Sequence, residues 1–490
     1  MEIEMKPAET RLRSSLLAGA CLLALAMPAG AAEPDPTSIV DAYAPRLAQV
    51  AGKIWEKAEL GYQEKETSGL LQQELKSAGF KVQANVAGMP TAFIARAGKG
   101  GGPVIAILAE MDALPGVSQA AVPQRQPIPG KDAGHACGHN LFGAASIAAA
   151  RAVKQWLDET GRPGEVRVYG APAEEGGSGK VYLVKAGLFD DVDVVLHWHP
   201  GDLNSAAQST ALANISGKFH FHGIAAHAAA APERGRSALD AVEAMDAMTN
   251  MMREHVPQDV RIHYIITDGG KAPNVVPAEA TVYYYVRHQD PEVLKNVMGR
   301  IKKAAEGAAL GTETRMEYEP VGGTYNLLPN DVLGRVMDAD LRHVGGLQYT
   351  PADNAFAMEL RKSLASPPPL SQASDIAPYS TDKVAYASTD VGDVSWVVPT
   401  VGLSTATWVP GTAAHSWQAV AAGGNAIGYQ GATVAAKVLA LTATRLFSEP
   451  ELITSAKAEF DRRRGPGFKY QSLLDRDTPA LDYRRLGTND

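Results

Sequence analysis

Cysteine is almost missing from this chain. Its 490 residues include 2, Cys21 and Cys137, and only Cys137 lies outside the N-terminal apolar run. With Cys21 gone, no internal disulfide can form, and the fold must rest on a packed core. A basic excess is missing too: 46 Lys and Arg stand against 54 Asp and Glu, for a net charge of −8. Without surplus cations to displace counterions from phosphates, broad nucleic-acid binding is excluded. The apolar run at 16–27 is too short to span a bilayer comfortably. Internal repeats, long low-complexity tracts and a G-x-S-x-G elbow are absent, and "GGSGK" lacks the spacing of a phosphate loop.

What is present is ordinary in bulk. Apolar residues make up 45% and charged residues 20%, as in a globular protein long enough for two domains or more. Lys6, Arg11 and Arg13 precede the 16–27 run, and "PAGAAEP" follows it, with Ala29 and Ala31 fitting a small-residue cleavage site. This pattern predicts an export signal over 1–32, a mature chain from Ala32 or Glu33, a periplasmic location and no membrane attachment after cleavage. "LAGAC" is a poor lipidation box, because its leucine falls one position early. Cys137 is then a lone thiol in an oxidising compartment, a liability that metal coordination would remove.

Helical and strand patterns alternate from about residue 37. Helical spacing over 38–62 and 67–82 is followed by an apolar strand at 104–108, a small-residue helix at 143–157, and strands within 164–179 and 192–202. This order predicts a mostly parallel sheet covered by helices, with each acid- or histidine-rich cluster after a strand's C-terminal end, where such sheets bind ligands. From 213 to 320 the order becomes β-α-β-β-α-β, so 212–322 is expected to be an inserted ferredoxin-like α+β domain. The chain then returns to α/β character, with an apolar strand over 393–403 and a long helix over 419–446. The expected division is a catalytic domain of 33–211 and 323–450, the insert, and a peripheral, weakly patterned tail over 451–490.

Chemistry concentrates in a few clusters. "GHACGHN" at 134–140 sets Cys137 and His139 two apart; thiolate with imidazole suits zinc and other transition metals. Taken alone, such a pair is as compatible with an ordinary loop. "APAEEGG" places Glu174 beside Glu175 at a strand end, where one carboxylate can bind metal and the other take a proton from water. "LHWHPGD" offers His197 and His199, two apart and therefore on one strand face. "GTAAHSWQ" supplies His415, and Asp112 in "AEMDALPG" can orient a ligand histidine. His227 among alanines is also compatible with a packed histidine, and Arg287 reads equally as a surface arginine.

In their order, "MDALPG", "GHACGHN", "PAEEGG", "HWHPGD", "HFHGIAAHAAAAPERGRSALDA", "APNVVPAEATVYYYVR", "STDVGDVSWVVPT" and "GTAAHSWQ" resemble the M20 metallopeptidases, and among them the aminobenzoyl-glutamate hydrolase B branch of the amidohydrolases. The likeness spans about 38 to 447. It implies two divalent ions, zinc or manganese, and a lid through which a homodimer forms. It implies Cys137, His139, Glu175, His199 and His415 as ligands, with His197 the alternative to His199, and Glu174 as general base. It further implies that His227 stabilises the oxyanion, often from the other copy in a dimer, and that Asn274 and Arg287 hold the substrate's amide and carboxylate. Asn140 departs from the wider group, which has aspartate there, and this weakens transfer from the other branches.

The expected activity is metal-dependent hydrolysis of an amide in a small N-acyl amino acid, first of aminobenzoyl-glutamate type. A dipeptide or another N-acyl amino acid comes second. The rivals are a cysteine hydrolase built on Cys137, with His135 or His139, and a non-catalytic exported binding protein.

Overall fold

The structure, a computed structural model, describes residues 1–2, 33–381 and 383–484. All but Met1 and Glu2 of the expected export signal, together with 485–490 of the expected tail, therefore lie outside the described residues.

Among the described residues, ten strands build two sheets: β1 (Lys81–Ala84), β2 (Phe93–Gly100), β3 (Val104–Glu110), β4 (Gly164–Ala171), β5 (Val194–Gly201), β6 (Ala213–His222), β7 (Arg261–Asp268), β8 (Glu279–His288), β9 (Arg315–Thr324) and β10 (Thr400–Ala406). The first sheet has the order β1-β2-β4-β3-β5-β10. Its β4, β3, β5 and β10 are mutually parallel, and β1 and β2 extend it antiparallel. Strand β3, VIAILAE, is buried almost throughout, as a parallel strand covered on both faces must be.

The helices are α1 (Pro36–Lys57), α2 (Lys65–Ser77), α3 (His139–Thr160), α4 (Gly179–Lys185), α5 (Ala238–Met252), α6 (Pro291–Gly311), α7 (Asp331–Val344), α8 (Pro351–Leu360), α9 (Val391–Ser395), α10 (Trp417–Gly423), α11 (Ala426–Ser448) and α12 (Pro450–Arg464). Among the described residues, none is long and apolar enough to cross a membrane. α1, α3 and α11 pack on one another, and α3 lies against β3. The alanine-rich face of α3, including Ala145, Ala148, Ala149 and Ala152, allows that close approach. Start signals are legible: Asp35 and Asp290 accept from the first turns of α1 and α6, each with proline at its start, and Thr350 and Asp353 cap α8 reciprocally.

The second sheet, β7-β8-β6-β9, is antiparallel throughout, and with α5 and α6 it is the expected ferredoxin-like insert. Along β8, Ala280, Val282, Tyr284 and Val286 are buried, and Tyr283, Tyr285 and Arg287 share the opposite face.

Three local expectations are corrected. The stretch 391–395 is helix α9, and the strand starts only at Thr400; in the helix Asp393 and Ser395 accept from the backbone N–H groups of Tyr325 and Leu328. The helix expected over 419–446 is broken at Gly424–Asn425, where Asn425 caps α11. Helix α3 starts at His139 rather than at 143, so that ligand candidate stands in a helical first turn.

Candidate metal centre

The candidate residues converge at the carboxyl ends of β3, β4, β5 and β10. Gly138 makes the entry to α3 possible: its φ is +78°, and an added Cβ would stand 2.7 Å from Pro200. This brings Cys137 against His199, with Sγ 3.4 Å from Nε2. His199 Nδ1 lies 2.7 Å from the Pro200 carbonyl oxygen, so the proton sits on Nδ1 and Nε2 presents a lone pair. The same reasoning fixes His139. Its Nδ1 is 3.0 Å from both the carbonyl oxygen and Oδ1 of Asp112; two acceptors demand N–H there and leave Nε2 bare. Asp112 Oδ2 also accepts from the Glu175 backbone N–H at 2.9 Å, so one carboxylate orients two ligand candidates. His415, in a left-handed conformation with φ +60°, donates its backbone N–H to Ala136 and sets Nε2 3.4 Å from Glu175 Oε1.

Among the described residues three donor sets result, each with its atoms within 4.8 Å of one another: Cys137–His139–His199, Cys137–Glu175–His415 and Glu110–His139–Glu174. The sulfur belongs to the first two. His139 Nε2 and Glu175 Oε1 are buried and make no well-aligned hydrogen bond; their near neighbours are Glu110 Oε2 at 3.1 Å and His415 Nε2 at 3.4 Å. A cation would give both atoms a partner they now lack. Burial opposes charge on His139, but Cys137, Glu110 and Asp112 still push its pKa well up, so the surroundings favour positive charge at this point. Soft sulfur, bare imidazole nitrogens and a carboxylate fit a pair of divalent ions. Burial pushes the Cys137 thiol up, so a bound ion is what would make it a thiolate. Burial lowers His199 to about 4, leaving the neutral imidazole that a metal needs.

The adjacent acids are driven apart. Burial, Glu110 and Glu175 raise the Glu174 carboxyl well above its ordinary range. Burial opposes the charge on Glu175, yet His415 and His139 hold its pKa below the ordinary value. Neighbouring carboxyls with opposed shifts divide into proton carrier and permanent anion.

His197 joins none of these sets. Its ring lies over Gly402 of β10, where a Cβ would be 2.3 Å away. His227 is exposed in the insert, with Nδ1 accepting from Ala229 and Ala230 and Nε2 turned free. Asn274, also exposed, meets it through the Ala228 N–H at 3.0 Å. Arg287 sits at the far end of β8, about 27 Å along the strand from the Glu279 end near them, and donates to Ser388. The three therefore do not meet in one chain.

Sequence reasoning missed a buried network beside the centre. Lys180 Nζ lies 2.7 Å from Glu110 Oε1 and 2.6 Å from Asp390 Oδ1, with all three side chains buried. Burial alone would lower this ammonium, but Asp390, Glu110 and Glu174 hold it far above its ordinary value. Glu110 Oε2 in turn stands 3.1 Å from His139 Nε2. The available signal was Glu110 closing an apolar strand, where a charge needs a partner.

Residues 213–313 match the peptidase dimerisation domain of M20 enzymes. The chain is 41% identical over 447 residues to the B component of p-aminobenzoyl-glutamate hydrolase from Escherichia coli K12, covering 86% of this chain and 93% of that protein. It is 31% identical over 439 residues to the Xaa-Arg dipeptidase of Mus musculus, covering 86% and 90%. Among solved structures, a dinuclear metal-binding M20 peptidase from Bacillus subtilis shares the fold with a TM-score of 0.56 at 18% identity, covering 83% of this chain and 99% of that one. An aminobenzoyl-glutamate utilization protein from Klebsiella pneumoniae does so at 0.58 and 20%, covering 82% and 98%. The chain belongs to the M20 family of metallopeptidases and amidohydrolases, and it is a metal-dependent amide hydrolase.

Proposed function

We propose that the chain hydrolyses the amide bond of a small N-acyl amino acid, first of the p-aminobenzoyl-glutamate type, with two zinc or manganese ions held by Cys137, His139, Glu175, His199 and His415. The observation that carries this is the pair of donor sets sharing one sulfur, with bare, buried His139 Nε2 and Glu175 Oε1 facing inward. When bound, such ions polarise a carbonyl and lower the pKa of water. Glu174, made more basic than an ordinary carboxylate by burial and by Glu110 and Glu175, would in its ionised form take the proton of the attacking water and return it to the leaving amine nitrogen. His227 donates Nε2–H to the oxyanion, and because it and Asn274 lie on an exposed loop of the insert, they serve the centre of a second copy. Arg287 receives the substrate carboxylate. Ile265 and Ile266 on β7, 63% and 44% exposed, support an apolar homodimer contact through this insert.

The 41% identity to the E. coli enzyme supports the first substrate choice, and the mouse dipeptidase supports a dipeptide as the second. Export to the periplasm belongs to the same reading and rests on the 1–32 pattern; cell fractionation tests it. The deciding experiment is metal analysis with a panel of N-acyl amino acids and dipeptides, with and without chelator. Turnover of the glutamate amide, abolished by chelator and restored by metal, is expected. Chelator-resistant, alkylation-sensitive turnover would favour a Cys137 hydrolase, and tight binding without turnover a binding protein.

A further inference from the structure

Beyond α12 the chain turns back toward the metal centre. Tyr470 Oη donates to Asp393 Oδ1 at 2.6 Å, and Tyr325, just past β9, donates to the Gln471 carbonyl at 2.8 Å. Leu473 and Leu474 are buried, with Leu473 backbone 2.6 Å from where a Cβ on Gly323 would be. Tyr182 of α4 then holds the Thr478 carbonyl at 3.2 Å. The described tail ends with Tyr483 and Arg484, and both donate to one acceptor, the backbone carbonyl of Glu175, Tyr483 at 3.5 Å.

That carbonyl belongs to a strained loop. Ala173 and Ser178 both have φ of +58°, and Gly176 has +114°. Non-glycine residues hold such angles only where their surroundings over-determine them. The clamps are identifiable. Glu64 Oε1 accepts from Ala173 N–H at 2.9 Å, Tyr62 Oη donates to Gly177 O at 2.6 Å, and Asp112 takes Glu175 N–H. These fix the loop on either side of Glu175 and at its N–H, and only the tail takes its C=O. Tyr483 is wedged edge-on against Tyr62, ring centroids 5.7 Å apart, and the Arg484 guanidinium lies 5.1 Å over Tyr483. Arg484 pairs with no carboxylate among the described residues, and its Nε is buried without an acceptor. A cation held this way with a carbonyl as its partner is placed for geometry at that carbonyl.

We propose that Tyr483 and Arg484 are positioning residues for Glu175, so that the C-terminal tail completes the metal centre; this rests on reading Glu175 as a ligand. The test is cobalt titration of the full-length, metal-stripped protein, followed by the absorption of the Cys137 thiolate–cobalt bond, which needs no substrate. Arg484→Ala should weaken cobalt binding roughly ten- to a hundred-fold, the usual effect of losing a partner behind a ligand. Arg484→Lys should restore most of it, and Tyr483→Phe should cost a few-fold. Metal-free thermal unfolding of all three should match wild type. Arg476→Ala, on the same tail but touching Glu319 and Thr478, is the control and should bind cobalt normally. Wild-type affinity in Arg484→Ala, or an equal loss in Arg476→Ala, would overturn the proposal. Wild-type protein with no thiolate band would instead defeat the metal reading beneath it.

Discussion

Replacing Asp112 by Asn keeps shape and removes charge at a carboxylate only 1% exposed. Asp112 receives the His139 ring N–H on Oδ1 at 3.0 Å and the Glu175 backbone N–H on Oδ2 at 2.9 Å. An asparagine has one oxygen; its amide group would face the second N–H with another donor, so one charged hydrogen bond is lost whichever way it flips. A hydrogen bond to a charged group contributes about 1.5–3 kcal/mol. If it is lost only in the metal-competent geometry, binding weakens roughly ten- to a hundred-fold, since about 1.4 kcal/mol is a factor of ten. His139 is also freed to move its proton to Nε2, the atom that must be bare. The assay is equilibrium dialysis against buffered zinc, with circular dichroism confirming an intact fold. Wild-type zinc affinity in Asp112→Asn would refute both the tautomer assignment and the shared-carboxylate argument.

Other substitutions separate the remaining roles. Glu174→Gln should retain both ions by elemental analysis while kcat falls by about 10²–10⁴; unchanged kcat would remove its role as base. His227→Ala should lower kcat with metal content unaltered, and a normal kcat would dismiss it. Lys180→Met should leave Glu110 and Asp390 as unpaired buried acids and cost about 3–5 kcal/mol in urea unfolding; a loss below about 1 kcal/mol would contradict the network. Burial raises Asp393 from 3.8 to about 7, so between these values the native state holds a proton that the unfolded chain has released. Wild-type stability should therefore fall from about pH 4 to 7 relative to Asp393→Asn, and a pH-independent gap between the two urea midpoints would count against it.

The legible parts of this molecule were those set by short-range pattern. Apolar strands followed by helices announced the parallel sheet, and β8 alternates so regularly that its buried and open faces can be read from the letters. The ligand candidates were legible because most of them follow the end of a strand. The illegible parts depended on distant partners. The 393–395 stretch reads as the start of a strand until the backbone N–H groups of Tyr325 and Leu328 are there to donate to Asp393 and Ser395. Lys180 reads as surface lysine because its two acids are far away in sequence. The segment 451–490, expected at the periphery, has little periodicity of its own, and its described part is held by side chains from α4 and α9 and by the Glu175 backbone carbonyl, which no local pattern encodes.

One sulfur in two donor sets has a consequence for durability. In the proposed two-ion centre, oxidising Cys137 would strip a donor from each ion position in a single event, so peroxide damage should empty the pair together rather than leave a half-loaded enzyme. Burial of that sulfur is then a shield for the whole cofactor, and substrate or ion occupancy should slow the inactivation.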